Sequence, residues 1–207
     1  MGNWMENIRL AGDKVELIPL DRSHREGLLK AATDGKLWEL WFTAVPCDQT
    51  IDRYIDQALS EKKEGKAFPF TIIERETDQV IGSTRYLNIE QRHKRLEIGN
   101  TWYAKSFQRT GVNTECKYLL LRHAFENLNC IAVEFRTHWH NHRSRNAILR
   151  LGAKQDGVLR NHQIDQEGNL RDTVVFSIIQ SEWSAVKQSL EFMMVHYSGP
   201  GSGTGSI

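Results

Sequence analysis

Three residues of a short loop, Gln108, Gly111 and Asn113, carry the first chemical signal in this chain. Before them runs Leu96-Glu97-Ile98-Gly99-Asn100-Thr101-Trp102-Tyr103, which reads as a strand, and residues 114–128 after them form an amphipathic stretch that reads as a helix. A tight glycine loop opening a helix gathers backbone N–H groups that the helix leaves unpaired, and the helix dipole adds partial positive charge at the same point. That arrangement holds phosphate. The segment Gln108-Arg109-Thr110-Gly111-Val112-Asn113-Thr114 therefore predicts a nucleotide-like cofactor, with the strand before it and the helix after it supplying the context that a lone glycine lacks.

A second motif follows as Asn141-His142-Arg143-Ser144, continuing through Ile148-Leu149-Arg150-Leu151 to Gly152-Ala153. Arg143 and Arg145 stand where they can reach cofactor phosphates or solvate the exposed face of a helix. Asn141, three residues before Ser144, is placed to cap that helix.

Together these residues resemble the GNAT superfamily of acetyl-CoA-dependent N-acyltransferases, most nearly its branch typified by the ribosomal-protein-alanine N-acetyltransferases (RimJ/RimL type). The superfamily loop pattern Gln/Arg-x-x-Gly-x-Gly/Ala is met by Gln108 and Gly111, with Asn113 standing where Gly or Ala is usual. Asn tolerates unusual backbone angles and its amide can donate, so the loop is read as functional. The branch's Glu-Ile-Gly occurs as Glu97-Ile98-Gly99, and its Asn-x-x-Ser with a later apolar-Gly turn runs from Asn141 to Gly152. The resemblance extends over residues 14–183. It implies an α+β fold with a single mixed, mostly antiparallel central sheet of about seven strands flanked by helices. It also implies transfer of the acetyl group of acetyl-CoA to a primary amine, either a protein N-terminus or a small-molecule amine, in a direct ternary complex.

The resemblance distributes roles. A backbone N–H near Trp102 and Tyr103 would polarise the acyl carbonyl, Ser144 would protonate the leaving thiolate, and Asn141 could also bond the pantetheine amides. Glu97 is the leading candidate to receive the amine proton, directly or through water, since a glutamate beside an apolar cleft has its pKa raised by desolvation. His138 is the rival base. Trp38, Trp41 and Phe42 fall where the superfamily builds its acceptor pocket, although core packing explains buried tryptophan equally well.

Composition narrows the alternatives. The 207 residues carry 27 Lys plus Arg against 26 Asp plus Glu, a balance that argues against a nucleic-acid binder, which needs a concentrated basic excess. The cluster Arg92-His93-Lys94-Arg95 reads as a solvated strand connection. Cys47, Cys116 and Cys130 sit at no metal-like spacing, which sets a reduced, cytoplasmic expectation. Cys116 reads as a small core residue rather than a nucleophile. The alternating His138, His140 and His142 lack a carboxylate or cysteine at ligand spacing, so no metal is expected. The first residues, Met1-Gly2-Asn3-Trp4-Met5-Glu6, show no secretory or myristoylation pattern, and no apolar run reaches membrane-spanning length. A dinucleotide oxidoreductase is disfavoured by the missing Gly-x-Gly-x-x-Gly. The partner expectation is an amine acceptor, with a homodimer allowed and neither nucleic acid nor membrane. The competing function is an acyl-CoA-binding sensor or pseudo-enzyme of the same fold.

The elements that must position these residues follow from periodicity. Strands are expected at residues 14–20, 68–74, 80–89, 96–103, 131–137, 157–164 and 171–179, and helices at 22–33, 50–63, 114–128, 142–151 and 182–195. Thr50 is expected to cap the second helix. Residues 1–197 make one domain, and residues 198–207, rich in Gly and Ser, read as a flexible tail.

Overall fold

A computed structural model describes residues 4–5, 8–41, 43, 45–165 and 167–196. Its strands are β1 (Leu10–Ala11), β2 (Val15–Pro19), β3 (Ala67–Glu74), β4 (Gln79–Glu90), β5 (Arg95–Tyr103), β6 (Ala132–His138), β7 (Lys154–Ile164) and β8 (Leu170–Ile179). Its α-helices are α1 (Arg25–Thr33), α2 (Ile51–Lys63), α3 (Val112–Arg122), α4 (His142–Arg150) and α5 (Trp183–His196). The strands form one sheet in the order β1-β2-β3-β4-β5-β6-β8-β7, antiparallel throughout except for the β5–β6 pair. The expected mixed, mostly antiparallel sheet is therefore present among the described residues, with one strand more than expected. The addition is β1, a two-residue segment too short to show a period of two. The expected tail and Phe42 lie outside the described residues.

Each face of the sheet is closed by helices whose apolar residues recur at helical spacing. Leu28, Ala31 and Ala32 of α1 and Ile51, Ile55 and Ala58 of α2 make one core with Leu37, Trp102 and Ala104. Cys116, Leu119 and Leu120 of α3 and Trp183, Val186 and Leu190 of α5 make the other, with Phe70, Tyr86, Ile98 and Tyr103. Two expectations are corrected here. Thr50 does not cap α2 with its side chain, because its hydroxyl is turned back to Cys47, accepting from the Cys47 N–H at 2.9 Å. The helix expected over residues 114–128 ends as α at Arg122 and continues as a π turn over His123–Asn127.

Two irregularities shape the site. The parallel β5–β6 pair holds only at Arg95↔Ala132, Leu96↔Val133 and Glu97↔Glu134, and beyond Glu97 the two strands no longer pair. On its other edge β5 carries one extra residue against β4, since Ser83 faces Trp102 while Arg85 faces Gly99. This bulge contains Asn100 at φ 47°, a left-handed conformation that Asn accepts more readily than most residues. Gly82 permits the close approach of β4 at this point, where any Cβ would run into the Trp102 carbonyl oxygen.

Candidate active site

The gap between the parting strands opens a cavity of about 920 Å³. Ile98 to Tyr103 of β5 and Phe135 to His138 of β6 form its walls, the start of α3 and one side of α4 close one end, and Leu37, Leu40, Thr43 and Tyr54 border the other.

The α3 end has the geometry that phosphate needs. Gly111 precedes the helix at φ 90°, a left-handed angle that strains any side-chain-bearing residue, and no side chain caps the N-terminus. Arg109 is also left-handed, at φ 65°. The first helical N–H groups are therefore available to a ligand. Gln108 braces the loop: its Nε2 donates to Tyr103 O at 3.0 Å, and its Oε1 accepts from Arg143 Nη2 at 2.8 Å. Thr110 donates its hydroxyl to Phe107 O at 2.8 Å, and Arg150 Nη1 donates to Thr114 Oγ1 at 3.1 Å.

Most of the expected site residues meet at this cavity. Trp102, Tyr103, Gln108, Arg109, Gly111, Asn113, Thr114, Asn141 and Ser144 all line it. Thr110 and Val112 do not, Val112 being part of the core beneath α3. Asn141 caps α4, its Oδ1 accepting from the Ser144 N–H at 3.0 Å. The Ser144 hydroxyl makes no hydrogen bond among the described residues.

Glu97 is not on the cavity wall. Its carboxylate is 8 % exposed, accepts from Asn88 Nδ2 at 2.7 Å and pairs with Arg136 at 3.5 Å. Burial raises its pKa, and the Arg136 charge and the Asn88 hydrogen bond act against the rise. The carboxylate lies directly behind the wall at Gly99, where a Cβ on that glycine would come within 2.9 Å of Glu97 Oε1. His138 does line the cavity, but its Nδ1 accepts the His140 N–H at 3.0 Å. Burial and the neighbouring Arg171 and His140 lower its pKa, so the ring is neutral near pH 7 and its proton must reside on Nε2. The remaining nitrogen is thus a donor. Among the described residues, no group of three or more His, Cys, Asp or Glu side chains is placed to hold a metal.

The aromatic loop divides. Trp38 packs against the α1–α2 core, whereas Trp41 is 62 % exposed and meets His138 edge-on, ring centroids 4.9 Å apart. Cys116 is buried, and burial pushes its thiol pKa up, in keeping with a core role.

Sequence reasoning missed three residues here. Lys117 is buried, lines the cavity and donates to Thr101 Oγ1 at 2.5 Å, its pKa lowered to about 8 by burial. Its signal was a charge inside an otherwise buried stretch of helix. Arg85, on β4, also lines the cavity while buried. Glu115 reaches back to accept from the N–H groups of Asp13 at 2.5 Å, Lys14 at 2.9 Å and Val15 at 3.2 Å, tying α3 to the β1–β2 turn.

The sequence profile of the Acetyltransferase (GNAT) domain matches residues 14–154. This chain belongs to the GNAT acetyltransferase family. The family uses acetyl-CoA, and the chain is accordingly an acyl-CoA-dependent N-acetyltransferase. Among its relatives is a protein of Bacillus licheniformis named uncharacterized N-acetyltransferase p20, 31 % identical over 121 residues, which cover 58 % of this chain and 67 % of that one. A GCN5-related N-acetyltransferase from Brucella melitensis superposes with a TM-score of 0.85 at 26 % identity, covering 97 % of this acetyltransferase and 91 % of the other. The ribosomal L7/L12 alpha-N-protein acetyltransferase RimL shares the fold, with a TM-score of 0.73 at 18 % identity over 84 % of this chain and 94 % of RimL.

Proposed function

We propose that this acetyltransferase moves the acetyl group of acetyl-CoA directly to a primary amine, both substrates being held together in the one cavity. The observation that carries the proposal is the cavity's continuity. An uncapped helix N-terminus lies at one end, an opening bordered by Leu40, Thr43 and Tyr54 lies at the other, and the unpaired edges of β5 and β6 lie between.

The first N–H groups of α3 bind pyrophosphate oxygens, with Arg109 and Arg143 adding charge. A backbone N–H of the unpaired β5 edge near Trp102 accepts the charge that develops on the acyl oxygen. As the C–N bond forms and the C–S bond breaks, the Ser144 hydroxyl gives its proton to the departing sulfur and recovers one from solvent. The amine proton leaves to water. Among the described residues no Asp or Glu lines the cavity, while Arg85, Lys117, Arg136 and Arg171 do, and that positive potential disfavours the ammonium form and favours the neutral nucleophile. Glu97 acts at one remove, by holding Arg136 on the cavity wall.

The test is release of free CoA thiol from acetyl-CoA in the presence of an amine library, with the product identified by its mass. Thiol release that depends on the amine supports the transferase. Tight binding of acetyl-CoA without amine-dependent release overturns it in favour of a sensor.

A further inference from the structure

The geometry points to an acceptor that carries its own oxyanion, a carboxylate or phosphate group on the same small molecule as the amine. This inference rests on the amine-acetyltransferase reading above and names the substrate class for it.

Apart from Lys117, the Lys and Arg side chains of the cavity fall into two groups. Arg109, Arg143 and Arg150 stand beside the α3 loop, as the hydrogen bonds from Arg143 to Gln108 and from Arg150 to Thr114 show. The phosphates of CoA match this group. The second group is Arg85, Arg136 and Arg171, away from the loop, where the pantetheine arm of the donor is uncharged and supplies no counter-ion. Arg136 is already paired, with Glu134 and Glu97.

Arg171 carries no such pair among the described residues, whereas Arg85 carries one, to Glu61. The Arg85 side chain is 3 % exposed and has Nη1 on Glu61 at 3.0 Å. Its guanidinium lies 4.7 Å from the centre of the Tyr54 ring, and its Nε is buried with no hydrogen-bond partner. Arg171, on β8, has a buried Nε that is likewise unpartnered, and among the described residues its guanidinium makes no ion pair. It stands close enough to His138 to influence that ring's charge. Arg171, on the cavity wall with no ion pair among the described residues, leaves a guanidinium charge there without a counter-ion, which is costly in an empty site. An oxyanion answers that need, because guanidinium presents forked donors that match the paired oxygens of carboxylate and phosphate alike. The same anion would offset the repulsion that this cationic cavity exerts on an arriving amine.

The experiment uses the full chain and acetyl-CoA. Acceptors are α-, β- and γ-amino acids and aminoalkyl phosphonates, each paired with its neutral amide or ester. The expected result is a kcat/KM at least about tenfold higher for the anionic member of a pair, as one charge-assisted contact implies. Arg171→Gln should reduce that preference to about threefold or less through KM for the acceptor, with acetyl-CoA affinity unchanged, and Arg171→Lys should restore part of it. Arg85→Lys, which keeps the charge against Glu61 and so protects the fold, should shift the same preference. The carboxylate and phosphonate arms decide between the two anion sources. Equal rates for acids and their neutral partners, or an undiminished preference in both Arg171→Gln and Arg85→Lys, overturn the inference. Bound acetyl-CoA with no acetylation of any amine instead overturns the transferase reading on which it rests.

Discussion

Arg143 Nη2 donates to Gln108 Oε1 at 2.8 Å, so α4 and the proposed phosphate loop, 35 residues apart, are joined at the cavity wall. The same Gln108 amide donates to Tyr103 O, which fixes the loop to the end of β5. Gln108→Leu removes both bonds while keeping approximate volume. Acetyl-CoA should bind roughly thirtyfold more weakly, in line with two lost hydrogen bonds of about 1 kcal/mol each, at little change in the chemical step. Calorimetric titration beside single-turnover rates would show it. Unchanged affinity would mean that the loop holds its shape without this brace.

Gly111→Asp tests the loop more severely. The position is left-handed at φ 90°, and the new carboxylate would face the phosphate oxygens. The rise in melting temperature that acetyl-CoA gives the native protein by mass action should disappear in this variant. A folded variant with wild-type affinity would place the phosphates elsewhere.

Ser144→Ala and Glu97→Gln should differ in kind. Loss of a proton donor at the sulfur is expected to slow the chemical step about a hundredfold with acetyl-CoA affinity retained. Glu97→Gln should leave the pH profile of the chemical step in place and act through KM for the acceptor, because the residue touches Arg136 and not the cavity. If Glu97→Gln abolishes the acidic limb of the profile, a water-mediated base role must be restored to it.

Lys117 predicts a dependence of stability on pH. Its folded pKa of about 8 lies below the ordinary 10.5, so between these values the unfolded chain holds a proton that the folded chain does not. Stability from this group therefore rises with pH from about 8 to 10.5, and below pH 8 the group costs on the order of 3 kcal/mol. Lys117→Met should raise the melting temperature at pH 7 by roughly 5 °C or more and flatten the slope above pH 8. Thermal scans across that range check both.

Helix α2 was legible because its periodicity is unbroken: Ile51, Ile55 and Ala58 recur at helical spacing and lie in the α1–α2 core. The tight glycine loop opening α3 was legible because its signal is local, contained between Tyr103 and Thr114. The partners of Glu97 were not legible, because alternation fixes a residue's face but not what lies over it, and here Asn88 and Arg136 do. His138 was read by type alone, and the bond from the His140 N–H that sets its tautomer depends on how β6 ends. Arg85 and Arg171, on different strands, are brought to one cavity only by the sheet order, which no local pattern contains.

The extra residue in β5 reverses which side of the sheet every later side chain addresses. Leu96 and Ile98 pack toward α3 and α5, yet Trp102, an even number of positions further on, packs toward α1 and α2, and Tyr103 takes the side that Trp102 would otherwise hold. The strand thus belongs to one core before Asn100 and exchanges its allegiance after it. Deleting Asn100 would restore simple alternation and send the Trp102 indole away from Tyr54, to which it now donates at 3.2 Å. In lineages descending from this chain, substitutions across β5 can drift singly, but a change of length between Gly99 and Trp102 would have to rewrite both cores at once.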